Sequence, residues 1–413
     1  MIDFAVMITD MAPVAVFGCP INKVKRCKRK SRLADNRASK PLSRQTTKME
    51  EKMRNIILLA FAGVLSAGAA QADGKLNIYN WSDYIAEDTI ANFKAETGID
   101  VTYDVYDSNE ILEAKMSAGS SGYDLVVPTA DFLARGRQAG VYAKMDFSRI
   151  PNAKNQSAQV QALANKQMQD DKSGLVYMWG TTGIAYNEKK IAERLGDNAP
   201  TDSWSLILDP ANAAKLADCG IAILDAPTDV LPNVISYLGK PGDTTDPKLF
   251  EQAGEVLSKV RPHLRYIHSS QSINDMANGD ICAAIMWSGD AFQAAYRAEE
   301  ANNGHVINYY IPSEGTNMWF DMMAIPTNAK NVDNAYRFID YMMRPDVAAN
   351  NVNYVWYASG NEAAKAKIDP EVLSHPGIYP SKETQKNLFV TPVYDAGLDR
   401  AVNRVWSRFN SGN

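Results

Sequence analysis

Aromatic rings and carboxylates recur together at the ends of predicted strands, a combination that suits the recognition of a cation. The predicted strands run directly into Trp81-Ser82-Asp83-Tyr84, Pro128-Thr129-Ala130-Asp131, Trp179, Asp225–Asp229 and Trp287–Asp290, and the strand around Met318 carries Trp319-Phe320-Asp321. In open α/β sheets, ligands bind beyond the carboxyl ends of the strands. A ring face attracts an ammonium group by ~0.5–2 kcal/mol, and a carboxylate accepts charge-assisted hydrogen bonds from it. The sequence therefore predicts a cleft for a cationic ligand.

Several of these residues also have a purely structural explanation. Trp179 and Phe320 fit the interior of a folded domain as well as they fit a ligand contact. Asp225 precedes Ala226-Pro227 and fits a turn, while Asp290 could serve as the N-cap of the helix that follows it. The interpretation as a ligand site depends on the coincidence of several such strand ends.

Motifs for catalysis or metal binding do not occur in the sequence. His263, His268, His305 and His375 lack the spacing of metal ligands, and there is no Gly-x-Ser-x-Gly, Walker, Cys-x-x-Cys or dinucleotide fingerprint. We therefore expect a protein that is not an enzyme and that needs no metal and no cofactor. An exported lyase or hydrolase with Asp83 or Asp290 as its acid or base stays open as an alternative.

The elements that must position these residues alternate along the chain. Short apolar runs predict strands at 76–80, 101–105, 124–127, 175–178, 183–186, 222–224, 281–286, 306–311 and 318–325. Amphipathic spacing predicts helices at 87–97, 109–116, 247–260, 272–278, 290–302 and 332–343. This alternation favours α/β domains with mostly parallel sheets, and the lack of a long linker favours two lobes joined by chain crossings.

Composition and charge are those of a soluble globular protein. Of 413 residues, 46% are hydrophobic and 22% are charged. Residues 1–72 hold 13 Lys and Arg against 5 Asp and Glu, so the rest of the chain carries a net charge of −13. Such an acidic body argues against a nucleic-acid partner and mildly favours cations.

A secretory signal peptide is predicted at residues 49–72. Met53-Arg54-Asn55 precede an apolar run at 56–65, and the small residues Ala70 and Ala72 mark cleavage after Ala72. Ten apolar residues are too few to cross a ~30 Å hydrocarbon core, so we expect no membrane insertion. Residues 1–48 have no pattern that would fold. They are interpreted as an over-extended start of the reading frame, with a basic targeting or nucleic-acid-binding tail as the alternative.

Only Cys219 and Cys282 remain in the exported part of the chain, where an oxidising compartment allows one pairing. We expect a disulfide between them, with two buried free thiols as the alternative. A loop of this length would stabilise the fold by roughly 4 kcal/mol in the chain-entropy model.

Six segments closely resemble the periplasmic polyamine-binding proteins. They are Leu76–Tyr84 (LNIYNWSDY), Asp107–Glu113 (DSNEILE), Tyr123–Pro128 (YDLVVP), Trp179–Tyr186 (WGTTGIAY), Ser269–Cys282 (SSQSINDMANGDIC) and Trp287–Asp290 (WSGD). The resemblance implies an α/β, two-lobed type II periplasmic binding protein fold with hinge crossings. We expect one lobe to hold residues 73–180 and 311–370, and the other to hold residues 181–310 and 371–413.

The resemblance also implies a ligand-binding set, carried over position by position. Trp81 and Trp287 would stack on the ligand, and Ser82, Asp83 and Tyr84 would hold it from the end of the first strand. The remaining members are Thr129, Asp229, Asp290, Trp319, Asp321 and Tyr357. Relatives also carry cysteines where Cys219 and Cys282 stand, which agrees with the expected disulfide.

The implied function is capture of a polyamine in the periplasm and its delivery to the permease subunits of an ABC transporter, by a monomer. Trp319, where the putrescine type has Phe, and Asp131 as an extra carboxylate favour spermidine narrowly over putrescine, whereas Ser82-Asp83 resemble the putrescine type. If the indole of Trp319 instead only shortens the binding cleft, it excludes the longer spermidine and favours putrescine. A sensor role, or another cationic amine as ligand, stays open.

Overall fold

Short buried strands and amphipathic helices alternate through residues 74–412, which are the residues that the computed structural model describes. The predicted extension (1–48) and signal peptide (49–72) lie outside them. The strands are β1 Lys75–Trp81, β2 Asp100–Tyr106, β3 Leu125–Val126, β4 Leu175–Asn187, β5 Ile221–Ile223, β6 Tyr266–Ile267, β7 Ala283–Trp287, β8 Ile307–Tyr310, β9 Thr316–Met323, β10 Ala358–Ser359 and β11 Leu388–Phe389.

The helices cover the sheets and connect their strands. They are α1 Thr89–Thr97, α2 Asn109–Ser117, α3 Ala130–Gln138, α4 Ala158–Met168, α5 Glu188–Leu195, α6 Ser205–Leu208, α7 Pro210–Leu216, α8 Pro227–Tyr237, α9 Pro247–Val260, α10 Gln271–Asn278, α11 Ser288–Glu300, α12 Val332–Met342, α13 Pro345–Val355, α14 Pro370–Leu373, α15 Lys382–Gln385 and α16 Ala396–Ser411. Within the described residues, no helix is both long enough and apolar enough to cross a bilayer.

Residues 74–412 form two sheets, of which the smaller is wholly parallel. The smaller sheet has the order β2-β1-β3, with both pairs parallel. The larger has the order β11-β9-β4-β7-β5-β6, with β8 and β10 also paired to β4. All four partners of β4 run antiparallel to it. The expectation of mostly parallel sheets therefore fails around β4, because an apolar run in the sequence carries no information about the direction of its neighbours.

β4 is one strand of 13 residues, whereas the sequence predicted two short strands at 175–178 and 183–186. Its first half pairs with β9 and β10, and its second half pairs with β7 and β8. Gly180 and Gly183 lie inside the strand, and an aromatic ring packs over each of them. A Cβ on Gly180 would lie 2.7 Å from the Trp319 ring, and one on Gly183 would lie 2.6–2.7 Å from the Tyr309 phenol. β4 thus contributes residues to each of the hydrophobic clusters described below.

The core is divided into two large clusters and a smaller third one. The first draws mainly on residues 76–179 and 318–390, and the second on residues 184–285 and 394–409. Ile378, Leu388 and Val390 pack in the first cluster, although segment 371–413 was expected to lie wholly in the second lobe. The lobe boundaries stay a prediction.

Cys219 and Cys282 form a disulfide with their Cα atoms 5.5 Å apart, as predicted. The two residues precede β5 and β7, which are parallel neighbours with Ile221 opposite Ala283. The bond therefore ties together the starts of two adjacent strands that are far apart in sequence.

Candidate functional site

A cavity with about 430 Å³ of empty space, part of it open to solvent, lies where the strand ends meet. The structure brings together at its wall ten of the eleven predicted ligand-binding residues: Trp81, Ser82, Tyr84, Thr129, Asp229, Trp287, Asp290, Trp319, Asp321 and Tyr357. Asn109 and Ser270 complete the lining. None of these twelve residues is basic.

Asp83 is the predicted residue that does not line the cavity. Its backbone has φ 53°, and its carboxylate forms an ion pair with Arg297 of α11 at 2.6 Å. Gln293 of the same helix donates a hydrogen bond to the Asp83 carbonyl. The structure thus places Asp83 in contact with α11, and not against the cavity.

Trp81 and Trp287 form an aromatic corner of the cavity. Trp81 is the last residue of β1, and its indole N–H donates to the Val127 carbonyl at 2.8 Å. Trp287 ends β7, and its ring centre lies 5.3 Å from that of Trp81, with the planes at 75°. Since the Trp81 N–H is held by backbone, the orientation of its ring is fixed before a ligand arrives.

Asp290 faces the cavity from the first turn of α11. The helix begins at Ser288 with Trp287 at the N-cap position, so Asp290 is not the capping residue that the sequence also allowed. The Tyr357 hydroxyl donates to Asp290 Oδ1 at 2.5 Å and accepts the Asp290 backbone N–H at 3.2 Å. Gly289 permits this contact, because a Cβ there would lie 2.3 Å from the Tyr357 ring. Burial raises the pKa of the Asp290 carboxyl to about 7.

Asp321 is a buried acid of the cavity lining. It lies in the middle of β9, accepts the Tyr84 hydroxyl at 2.7 Å through Oδ2, and is 3% exposed. Burial, followed by the negative charges of Asp229, Asp131 and Asp290, raises its pKa well above the usual value. Its Oδ1 is buried and has no hydrogen-bond partner in the described structure. A buried acceptor without a donor is costly, so this oxygen is available to accept a further hydrogen bond.

Residues 88–379 match a family described as bacterial extracellular solute-binding protein. The chain belongs to this family. Putrescine-binding periplasmic protein PotF of Escherichia coli K12 is 48% identical over 368 residues, which cover 89% of this chain and 100% of PotF. Putrescine-binding periplasmic protein SpuD of Pseudomonas aeruginosa UCBPP-PA14 is 46% identical over 360 residues, covering 87% and 98%.

Among solved structures, the spermidine/putrescine ABC transporter substrate-binding protein PotD of Streptococcus pneumoniae is similar, with a TM-score of 0.66 and 30% identity. The match covers 82% of this solute-binding protein and 99% of the streptococcal chain. The resemblance to periplasmic polyamine-binding proteins and the two-lobed type II fold are thereby confirmed.

Asp229 reaches the cavity of this solute-binding protein from the first turn of α8. Its Oδ2 accepts the Trp287 indole N–H at 3.0 Å, and its Oδ1 accepts the amide of Asn317. Burial raises the pKa of the Asp229 carboxyl to about 6, and these two donors limit the rise. Asp229 therefore both faces the cavity and holds the Trp287 ring.

Trp319 forms the wall beside Tyr357. The two ring centres lie 5.5 Å apart, and the indole packs directly over Gly180. Its Nε1 is buried without a partner in the described structure. Trp319 thus occupies space in the cavity and leaves one polar group unsatisfied.

Asp131, which the sequence suggested as an extra carboxylate for the ligand, does not line the cavity. The Thr129 hydroxyl donates to Asp131 Oδ1 at 2.8 Å, and burial raises the pKa of the Asp131 carboxyl. The other strand-end candidates also lie outside the lining. Trp179 and Phe320 are core residues, and Asp225 accepts the Trp406 indole N–H at 2.7 Å.

Two lining residues, Asn109 and Ser270, were not found from the sequence. Asn109 begins α2 just after β2, and its side-chain oxygen accepts the Thr129 backbone N–H at 3.1 Å. Ser270 follows β6, a strand of only two residues. Polar residues after β2 were a usable signal for Asn109, whereas β6 is too short to be recognised as a strand.

Proposed function

We propose that this solute-binding protein captures a polyamine in the cavity and delivers it to an ABC importer. The observation that carries the proposal is the charge of the lining: Asp229, Asp290 and Asp321 all face one cavity, Asp290 and Asp321 are buried, and no lining residue is basic. Buried carboxylates without cationic partners are unfavourable unless they are protonated or a cation enters. A ligand with several ammonium groups supplies such cations.

The aromatic lining explains why the cation should be an extended one. The faces of Trp81, Trp287 and Tyr357 suit both methylene groups and ammonium groups. A polyamine alternates these two kinds of group along one chain. The printed names of PotF, SpuD and the streptococcal PotD support the same ligand class and the periplasmic, ABC-linked setting. These relatives are named for binding, which favours a binding protein over an enzyme.

We propose putrescine as a ligand, because PotF and SpuD are both named for putrescine. The expected preference for spermidine lacks support from these relatives, and one of its two arguments falls because Asp131 lies outside the lining. Spermidine stays a second candidate on a different observation. Three carboxylates line the cavity, one for each of three ammonium groups.

Replacing Trp319 by Phe tests the second candidate. We expect spermidine affinity to fall by roughly fivefold more than putrescine affinity, the equivalent of ~1 kcal/mol for one ring-face contact with the central ammonium. Isothermal titration calorimetry with both amines measures the difference. Tighter spermidine binding in Trp319→Phe would contradict this expectation, because it would show that the indole only limits the length of the ligand.

The raised carboxyl pKa values predict that binding strengthens with pH. Primary amines stay protonated below about pH 9, whereas the pKa values of Asp229 and Asp290 are about 6 and about 7 in the free protein. An ammonium ligand favours the ionised carboxylates, so putrescine affinity should rise by roughly twentyfold from pH 6 to pH 8, with proton release. Calorimetry in buffers of different ionisation enthalpy counts the protons. An equal affinity at both pH values would contradict the prediction.

The same raised carboxyl pKa values make the free protein less stable as the pH rises, whereas they make ligand binding stronger. The folded carboxyls bind protons more tightly than unfolded Asp, so the free energy of unfolding should fall as the pH rises from about 4 through 7. Ligand should offset this loss. The thermal shift caused by putrescine should therefore be larger at pH 8 than at pH 6.

The ligand class itself is tested by a thermal-shift panel at pH 8. Putrescine, spermidine, cadaverine and agmatine should raise the melting temperature, and neutral amino acids should not. A panel in which only amino acids or opines act would overturn the proposal.

Product analysis after incubation with amines tests the enzyme alternative. Uptake of radiolabelled putrescine by a deletion strain separates transport from a purely sensory role.

A further inference from the structure

A chain of buried amide hydrogen bonds ends on Asp229. Asn233 lies one helical turn after Asp229 in α8 and is 0% exposed, and Asn317 on β9 is 1% exposed. Neither asparagine lines the cavity. Two fully buried amides beside a binding site need a reason, because burying an amide is costly unless it is hydrogen-bonded.

The orientation of both amides is forced by a backbone group. The backbone N–H of Asn317 donates to Asn233 Oδ1 at 2.9 Å, so the oxygen of Asn233 must face β9. Asn233 Nδ2 then donates to Asn317 Oδ1 at 2.8 Å. With its oxygen engaged, Asn317 can present only its NH₂ group to Asp229. No reversal of either amide preserves these bonds.

The chain continues through Asp229 to the aromatic corner. Asp229 Oδ1 accepts from Asn317, and Oδ2 accepts the indole N–H of Trp287. Both carboxylate oxygens are therefore fixed in direction. The fixed backbone of β9 is thus connected to the ring that faces Trp81.

We propose that Asn233 and Asn317 are positioning residues that orient Asp229 and hold its negative charge for an ammonium group of the ligand. The inference rests on the proposed function. Among the charged groups, Asp131 opposes the ionisation of Asp229, and the negative charge of Asp229 in turn raises the pKa values of Asp321 and Glu110. The Asn317 and Trp287 donors act in the other direction and lower its pKa.

Asn317→Leu, which keeps the size of the side chain but removes its donor, tests this role. Without the donor, the Asp229 carboxyl should bind its proton more tightly. We expect putrescine affinity to fall about tenfold at pH 7 but less than about twofold at pH 9, where Asp229 ionises in either protein. A loss of equal size at both pH values would indicate a merely structural role and overturn the proposal.

Asn351→Leu is the matched control. Asn351 is also 0% exposed, but its side-chain oxygen accepts from Ala86 and Thr89, away from the cavity lining. This variant should lower the melting temperature and leave the pH dependence of binding unchanged. A pH dependence in Asn351→Leu that matches Asn317→Leu would contradict the proposal.

Two further measurements test the inference if Asn317→Leu does not fold or if putrescine does not bind. Asn233→Ala removes the partner that orients Asn317 and should shift the pH profile in the same direction by a smaller amount. Titration of the Asp229 carboxyl by ¹³C NMR in the free protein needs no ligand. A midpoint unchanged by Asn317→Leu would overturn the inference, whereas a wild type that binds no polyamine at any pH would overturn only the proposed function.

Discussion

Replacing Asp290 by Asn is expected to weaken putrescine binding by at least about thirtyfold at pH 8. The asparagine keeps the shape of the side chain, and its Oδ1 can still accept the Tyr357 hydroxyl. What it loses is the negative charge opposite a desolvated ammonium group, and loss of such a partner costs ~2–5 kcal/mol. Isothermal titration calorimetry on the wild type and the variant measures the effect.

The matched control for this variant is Asp225→Asn. Asp225 also accepts an indole N–H, from Trp406, but it lies outside the cavity lining. Its substitution should leave putrescine affinity within about twofold of the wild type. Less than a threefold loss in Asp290→Asn would show that the contact between Asp290 and Tyr357 is structural and that Asp290 does not bind an ammonium group.

The second large effect is expected from removing the disulfide with Cys219→Ser and Cys282→Ser together. The bond closes a separation of 63 residues, and the chain-entropy model gives a loss of roughly 4 kcal/mol in the free energy of unfolding. Urea unfolding monitored by circular dichroism measures this change. Neither cysteine lines the cavity, so putrescine affinity should stay within about twofold.

Reduction of the wild type with dithiothreitol provides the control, since it breaks the same bond without changing the buried side chains. It should reproduce most of the loss seen in the double variant. If the free energy of unfolding of the double variant is less than about 1 kcal/mol below that of the wild type, the disulfide adds little stability beyond the packing between β5 and β7.

Much of the site could be predicted from strand ends. Trp81 and Trp287 were found because buried apolar runs point to strands, and strands deliver their last residues to one edge of a sheet. Asp321, which lies within β9, was found because the predicted strand carries this carboxylate beside aromatic residues. Asp229 was also found, although α8, which carries it, was not. Proline is unfavourable inside a helix, yet Pro227 begins α8 and Pro232 lies within it.

The remaining features depend on contacts between distant segments. Asp83 and Tyr84 are neighbours in sequence, but one pairs with Arg297 and the other with Asp321. The continuity of β4 through Gly180 depends on the Trp319 ring, which is more than a hundred residues away. Asn233 and Asn317 show no local pattern at all. Their role appears only once α8 packs on β9.

Gly180 shows how the size of an accepted ligand can be encoded outside the surface that the ligand touches. A Cβ at this position would press on the Trp319 ring at 2.7 Å and on the Ser288 hydroxyl at 2.9 Å. The absence of a side chain at Gly180 therefore leaves the room in which the indole packs against β4, although Gly180 is not part of the lining. Selectivity within this family can consequently diverge by substitutions behind the wall, which an alignment restricted to ligand-contacting positions would overlook.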